Sequence, residues 1–169
     1  MASVFAEKEL KFETSELILI ILILQLVAIG GAYLFAYISR ITSNKASLAT
    51  MIIVWILICI AAHYINSKLA FYFLAAAVGI VMGGIQSLSR SSFSKLLPEN
   101  TKEMTSYFSF YDVMYKLSII AGTFSFGIVD QITGNMRYSV LALGLFFVIG
   151  LIILSRVDFN APRMTSQPA

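Results

Sequence analysis

Charge is what this chain has least of. Asp, Glu, Lys and Arg make up 12% of its 169 residues, about half the share of a soluble domain. The formal net charge is only +3, and the basic residues lie scattered between apolar segments, so no nucleic-acid partner is expected. The chain has one cysteine, Cys59, and one histidine, His63. A lone thiol makes no intrachain disulfide, and inside an apolar run it reads as a packing residue. His63 has no partner at ligand spacing, so no metal is expected. There is no Gly-rich phosphate loop, nucleophile elbow or His-Glu-Xaa-Xaa-His run, the arrangements that phosphate, acyl-transfer and zinc chemistry need. No enzymatic activity, catalytic residue or cofactor is therefore expected. Residues 1–16 lack the basic start of a signal peptide. They hold Glu7, Glu9, Glu13 and Glu16 against Lys8 and Lys11, so no cleavable leader is expected either.

What fills the chain instead is apolar. Hydrophobic residues are 59% of the sequence and the mean hydropathy is +0.85, above the soluble range of about 45–50% apolar. Five long apolar segments follow one another at residues 17–38, 48–65, 69–93, 104–129 and 138–154. A hydrocarbon core of about 30 Å takes roughly 20 helical residues. None of the segments alternates polar with apolar residues, which argues against barrel strands. The expected fold is an all-α membrane protein. An acidic tail at 1–16 precedes a five-helix half-bundle at 17–155, and a polar tail follows at 156–169. Punctuation fits these breaks. Asn66-Ser67 divides the second and third helices, and Gly134-Asn135 the fourth and fifth. Pro98-Glu99-Asn100 closes the third helix, and Asn100 with Glu103 has the spacing of a capping box opening the fourth.

Lys and Arg favour the cytoplasmic side of a membrane. Arg40, Lys45, Arg90, Lys95, Lys102, Arg156 and Arg163 fall on the side of the carboxyl terminus. Lys8, Lys11, Lys68 and Arg137 fall on the other. The expected arrangement has the carboxyl terminus cytoplasmic and the acidic tail outside. That tail would cross the membrane with no helix to carry it, so a further upstream helix is expected.

Polarity sorts the helices. The second and fifth are apolar nearly all round and are expected at the periphery, facing lipid. The third and fourth, with the first, carry polar groups that must face a bundle interior or a wet cavity. The third holds Ala75, Gly79, Gly83, Ser87 and Ser91 four residues apart, a small-residue stripe that admits a second backbone. Gly83→Leu is expected to disrupt assembly, and Gly144→Leu on the fifth helix to be tolerated. On the fourth helix Asp112 and Lys116 share one face at i and i+4. They lie about 10 and 16 Å from the cytoplasmic end at 1.5 Å per residue, which places Lys116 near mid-bilayer. A self-satisfied structural pair and a role in solute binding or proton coupling both remain open. Tyr107, Tyr111, Gln86 and Gln25 are further candidates to contact a solute. Arg90 reads as an interfacial anchor.

One series of residues carries a resemblance. Gly83-Gly84-Ile85-Gln86-Ser87-Leu88-Ser89-Arg90-Ser91 runs on through Phe93 to Pro98. Tyr107-Phe108-Ser109-Phe110-Tyr111-Asp112 and Gln131-Ile132-Thr133-Gly134 follow. The chain resembles the carboxyl-terminal half of a major facilitator superfamily transporter, within the branch of autophagy-linked vacuolar amino-acid effluxers, which has many bacterial members. The resemblance covers nearly the whole chain and implies helices eight to twelve of such a transporter. It implies transport of a small polar solute, amino acids being the class the resemblance suggests, by alternating access. The expected partners are a lipid bilayer, the solute and the missing amino-terminal half, and the expected location is a bacterial cytoplasmic membrane. A non-transporting fragment or a helix-packing membrane subunit is the alternative. The superfamily's Gly-Xaa-Xaa-Xaa-Asp-Arg-Xaa-Gly gating loop is altered: with Arg40 as its Arg, Ser39 stands at the Asp position and Phe35 and Thr42 at the glycines. The acidic partner of such a gate is lost here.

Overall fold

The computed structural model describes residues 2–97 and 103–157, and no strand occurs among them. The element order is α1 (Ala2–Leu10), α2 (Thr14–Ile41), α3 (Asn44–Tyr64), α4 (Lys68–Leu96), α5 (Met104–Thr133) and α6 (Met136–Arg156). Helices α2 to α6 are each long and apolar enough to cross a membrane. Pro98, Glu99, Asn100, Lys102, Arg163 and nearly all of the 156–169 tail lie outside the described residues.

Local chemistry sets the helix ends. Ser43 and Ser67 precede α3 and α4, and their hydroxyls accept the orphan N–H groups of Ala46 and Ala70 at 3.1 and 3.2 Å. Asn135 does the same for α6, accepting from Arg137 N–H at 2.9 Å. These are N-caps of the types that compete best for unpaired helix amides. Gly134 closes α5 at φ 63°, a left-handed conformation that costs glycine nothing. Glu103 does not sit inside the first turn of α5. It occupies the capping position itself, and the helix begins at Met104.

The segment expected as an acidic tail is a helix. In and just after α1, Phe5, Ala6, Leu10 and Phe12 are buried, while Glu7 and Lys8 face outward. Phe5 and Phe12 pack on Phe71 at the start of α4, with ring centroids 6.2 and 5.5 Å apart. The aromatic residues of this segment, not its charges, decide where it goes.

The tightest packing joins α2 and α4. A Cβ on Gly83 would fall on the Ala28 carbonyl, and one on Gly31 would fall on the Ile80 carbonyl. A Cβ on Gly79 would lie 2.9 Å from the Leu24 carbonyl oxygen. Only glycine allows such approach, and in lipid this close contact replaces the missing hydrophobic drive. Of the expected stripe, Ala75, Gly79 and Gly83 serve this interface, while Ser87 and Ser91 are exposed beyond it.

Helices α3 and α6 pack on each other. Trp55 stacks on Phe147 at 5.1 Å, and a Cβ on Gly144 would meet Cys59 Cβ at 3.4 Å. Gly144 is buried, which corrects the expectation that it faces outward: an added side chain there meets α3 rather than lipid, at ordinary contact distance for its first atom. The large exposed apolar residues of α3 form the strip Ile53, Leu57, Ile60 and Tyr64, and its other faces pack mainly on α4 and α6. Helix α5 makes its main contact with α6, and Phe126 is its one buried residue among those described.

Candidate functional site

Polar side chains of α2, α4 and α5 meet around a cavity of about 510 Å³. Gln25 reaches it from α2. Gln86, Ser87 and Arg90 line it from α4, and Tyr111 and Tyr115 from α5. The α-helical repeat explains the set. Gln86 and Arg90 are four apart, as are Tyr111 and Tyr115, so each pair projects from one face. The close approach at Gly83 brings Gln25 and Gln86 into the same cavity.

Arg90 organises the site. Its Nη2 donates to Asp112 Oδ1 at 2.5 Å, and its guanidinium lies 5.8 Å from the Tyr111 ring centroid. The Tyr111 hydroxyl donates to Ser89 Oγ at 3.0 Å, and the Tyr111 ring leans on Phe93 at 5.0 Å. Arg90 is thus more than an interfacial anchor: it is the partner of Asp112. The expected Asp112–Lys116 pair is not formed. Lys116 is exposed and makes no ion pair or hydrogen bond among the described residues. The physical reason is reach. An i, i+4 pair along one helix competes with a planar donor from a neighbouring helix, and a guanidinium meets a carboxylate better than an ammonium does. Tyr107 lies one turn before Tyr111 and is not part of the cavity wall.

A larger cavity of about 670 Å³ lies nearer α1. Phe5, Phe71, Phe126 and Phe147 are among its walls, Ser118 and Trp55 are its few polar groups and no charged residue lines it, so it suits an apolar occupant better than a polar solute.

Sequence comparison decides the family. The profile described as vacuole effluxer Atg22-like matches residues 1–166. The chain belongs to this Atg22-like family. An uncharacterised MFS-type transporter of Bacillus subtilis, YxiO, is 32% identical over 159 residues, which is 94% of this chain and 37% of the relative. Autophagy-related protein 22 of Kluyveromyces lactis is 32% identical over 180 residues, 98% of this chain and 36% of that protein. The Saccharomyces cerevisiae protein of the same name is 29% identical over 177 residues, covering 98% and 33%. The chain therefore spans about a third of the length of the curated relatives it matches. No solved structure matches it.

Two further polar clusters of this Atg22-like chain escaped sequence reasoning. Around the altered gating loop, Ser39 donates to Ala36 O within its own helix at 2.9 Å, and Arg40 is exposed. The contacts belong to the next two residues of α3. Asn44 donates to Ser92 Oγ at 3.0 Å and accepts from Lys95 at 3.4 Å. Lys45 donates to the carbonyls of Ser155 and Val157 at 2.9 and 2.7 Å, a cation on the negative end of α6. At the other end of the bundle, Arg137 donates to Glu9 Oε2, His63 O and Asn66 Oδ1 at 3.2, 2.7 and 2.9 Å. Lys8 pairs with Asp130 at 3.5 Å. No spacing rule links residues so far apart in sequence. The available signals were a basic residue in a short loop and an acidic run with aromatic residues among it.

Proposed function

We propose that the chain forms one half of a secondary active transporter and moves a small polar solute, amino acids being the class its family suggests. A second bundle, equivalent to the part of its relatives that this chain does not match, completes the machine. The two rock about a shared site in alternating access. The observation that carries this reading is the polar cavity beside α5. A guanidinium, two amides and two phenols gather there in a helix bundle of membrane-spanning length. Such groups are costly in lipid and are retained where a wet path or a ligand needs them. Arg90, Asp112, Gln86, Gln25, Tyr111 and Lys116 supply this half's share of the path.

The test is flux. The chain is co-reconstituted in liposomes with the unmatched portion of the Bacillus subtilis relative, and uptake of radiolabelled amino acids is followed. Uptake above that of either part alone is expected, and Lys116→Ala should abolish it without loss of assembled protein. Assembly with no flux for any of the amino acids would favour the packing subunit instead.

In this reading α1 lies outside the cell and the carboxyl terminus inside. Single cysteines at Ser3 and Ser166, in a Cys59→Ala background, are treated with an impermeant thiol reagent on intact cells. Labelling at position 3 alone is expected. Labelling at 166 alone would reverse the orientation.

A further inference from the structure

We propose that Asp112 is a two-position carboxylate, holding Arg90 while the cavity is empty and shifting to Lys116 when the carboxylate of a solute takes its place on Arg90. The proposal rests on reading the cavity as a solute site. It adds what in the solute is recognised and what the protein does in answer.

The donor inventory of Arg90 comes first. A guanidinium carries five N–H donors in a planar fork. Among the described residues, Asp112 occupies only Nη2. The edge that suits bidentate capture of a carboxylate is otherwise unused. The Tyr111 ring flanks the guanidinium at 5.8 Å and is itself tied to Ser89. Arg90 therefore stays in place when its counter-ion leaves.

The pair is also open to exchange. The Arg90 and Asp112 side chains are 59% and 47% exposed. An ion pair so exposed, at the cavity wall through Arg90, is weak and readily replaced by a competing anion.

The vacated position has a destination. Lys116 is one turn further along α5 on the same face as Asp112. It lies near the middle of a helix that runs from Met104 to Thr133. An ammonium at that depth is costly without a counter-charge. The other described charges nearby are spoken for: Lys95 by Asn44, and Asp130 by Lys8 at the far end of α5. With the cavity empty, Arg90 is paired and Lys116 is not. With a carboxylate on Arg90 and Asp112 on Lys116, both of these cations have a counter-charge. A neutral amide brings no charge to replace Asp112 and leaves Lys116 as it was. The site thus selects for a carboxylate, and binding there changes the charge pairing one turn deeper along α5.

The test is thermal melting of the purified chain in detergent. The probes are glycine, L-leucine and L-tyrosine, each beside its carboxamide. A ligand that binds the folded state raises the melting temperature according to its concentration over Kd. At least one acid should stabilise the wild type while its amide does not. Lys116→Gln should melt no lower than wild type without probe, because an unpaired ammonium is removed, yet bind that acid roughly three- to tenfold more weakly. Lys116→Arg should restore the affinity, and Arg90→Gln should remove the response. A purely structural Lys116 would lower the melting temperature without probe and not the affinity. Equal affinity of wild type and Lys116→Gln overturns the exchange and leaves the cavity standing as a solute site. Equal responses to acid and amide overturn carboxylate recognition. A wild type that answers none of the probes overturns both.

Discussion

Gly83→Leu should lower the melting temperature of the detergent-solubilised chain by about 6–12 °C, the shift that roughly 3 kcal/mol produces in a domain of this size. The reason is backbone against backbone. The first atom of any side chain at 83 lands on the Ala28 carbonyl of α2, and no rotamer change moves it away. Helices α2 and α4 must separate along their whole contact, which is the most extensive in the chain. Gly31→Leu should behave alike, because its Cβ lands on Ile80 of α4. The two glycines are reciprocal halves of one crossing. Gly30→Leu supplies the control, since no atom lies within 4 Å of its Cβ position. That variant should fold and melt like the parent. If Gly83→Leu and Gly30→Leu melt alike, the close crossing does not exist in the folded chain.

The spans were legible because lipid imposes one requirement on every residue of a segment, so hydropathy and length suffice. The caps at Ser67 and Asn135 were legible as polar breaks between apolar runs. The crossing was half legible. The stripe at 75, 79 and 83 marks a surface for close approach, but its partner at Gly31 stands beside Gly30, and sequence alone does not say which of the two faces α4. Pairing was the least legible. Asp112 with Lys116 follows from helical spacing, whereas Asp112 with Arg90 depends on how α4 and α5 sit beside each other. Gly144 shows the same limit. An apolar helix that lacks polar side chains reads as lipid-facing, yet two such helices bury part of that surface against each other, as Trp55 and Phe147 do. In α1 the error ran the other way. Acidic residues suggested a solvated tail, while Phe5, Leu10 and Phe12 between them held the segment to the bundle.

Arg137→Ala should release α1 from the bundle. One guanidinium there joins α1 through Glu9, the end of α3 through the His63 carbonyl, and the α3–α4 turn through Asn66. The Arg137 side chain is only 16% exposed and that of Glu9 23%, so water replaces the lost bonds poorly. Removing one member leaves an acid and a carbonyl short of donors, at a cost of about 2–4 kcal/mol. Lysine does not substitute, because a single ammonium on a flexible stem cannot span three acceptors in a fixed fork. Amide hydrogen exchange is the measurement. In Arg137→Ala the amides of α1 should exchange at least about tenfold faster, the change that 1.4 kcal/mol of local opening brings, while those of the α2–α4 crossing stay protected. Lys8→Ala is the contrast. Its salt bridge to Asp130 is long and its side chain 61% exposed, so its loss should leave α1 in place. Protection of α1 that survives Arg137→Ala would mean the aromatic contacts to Phe71 hold the helix by themselves and the polar hub is incidental. Loss of protection in α1 and α4 together would mean instead that this end of the bundle opens as one unit, with Arg137 as its fastener.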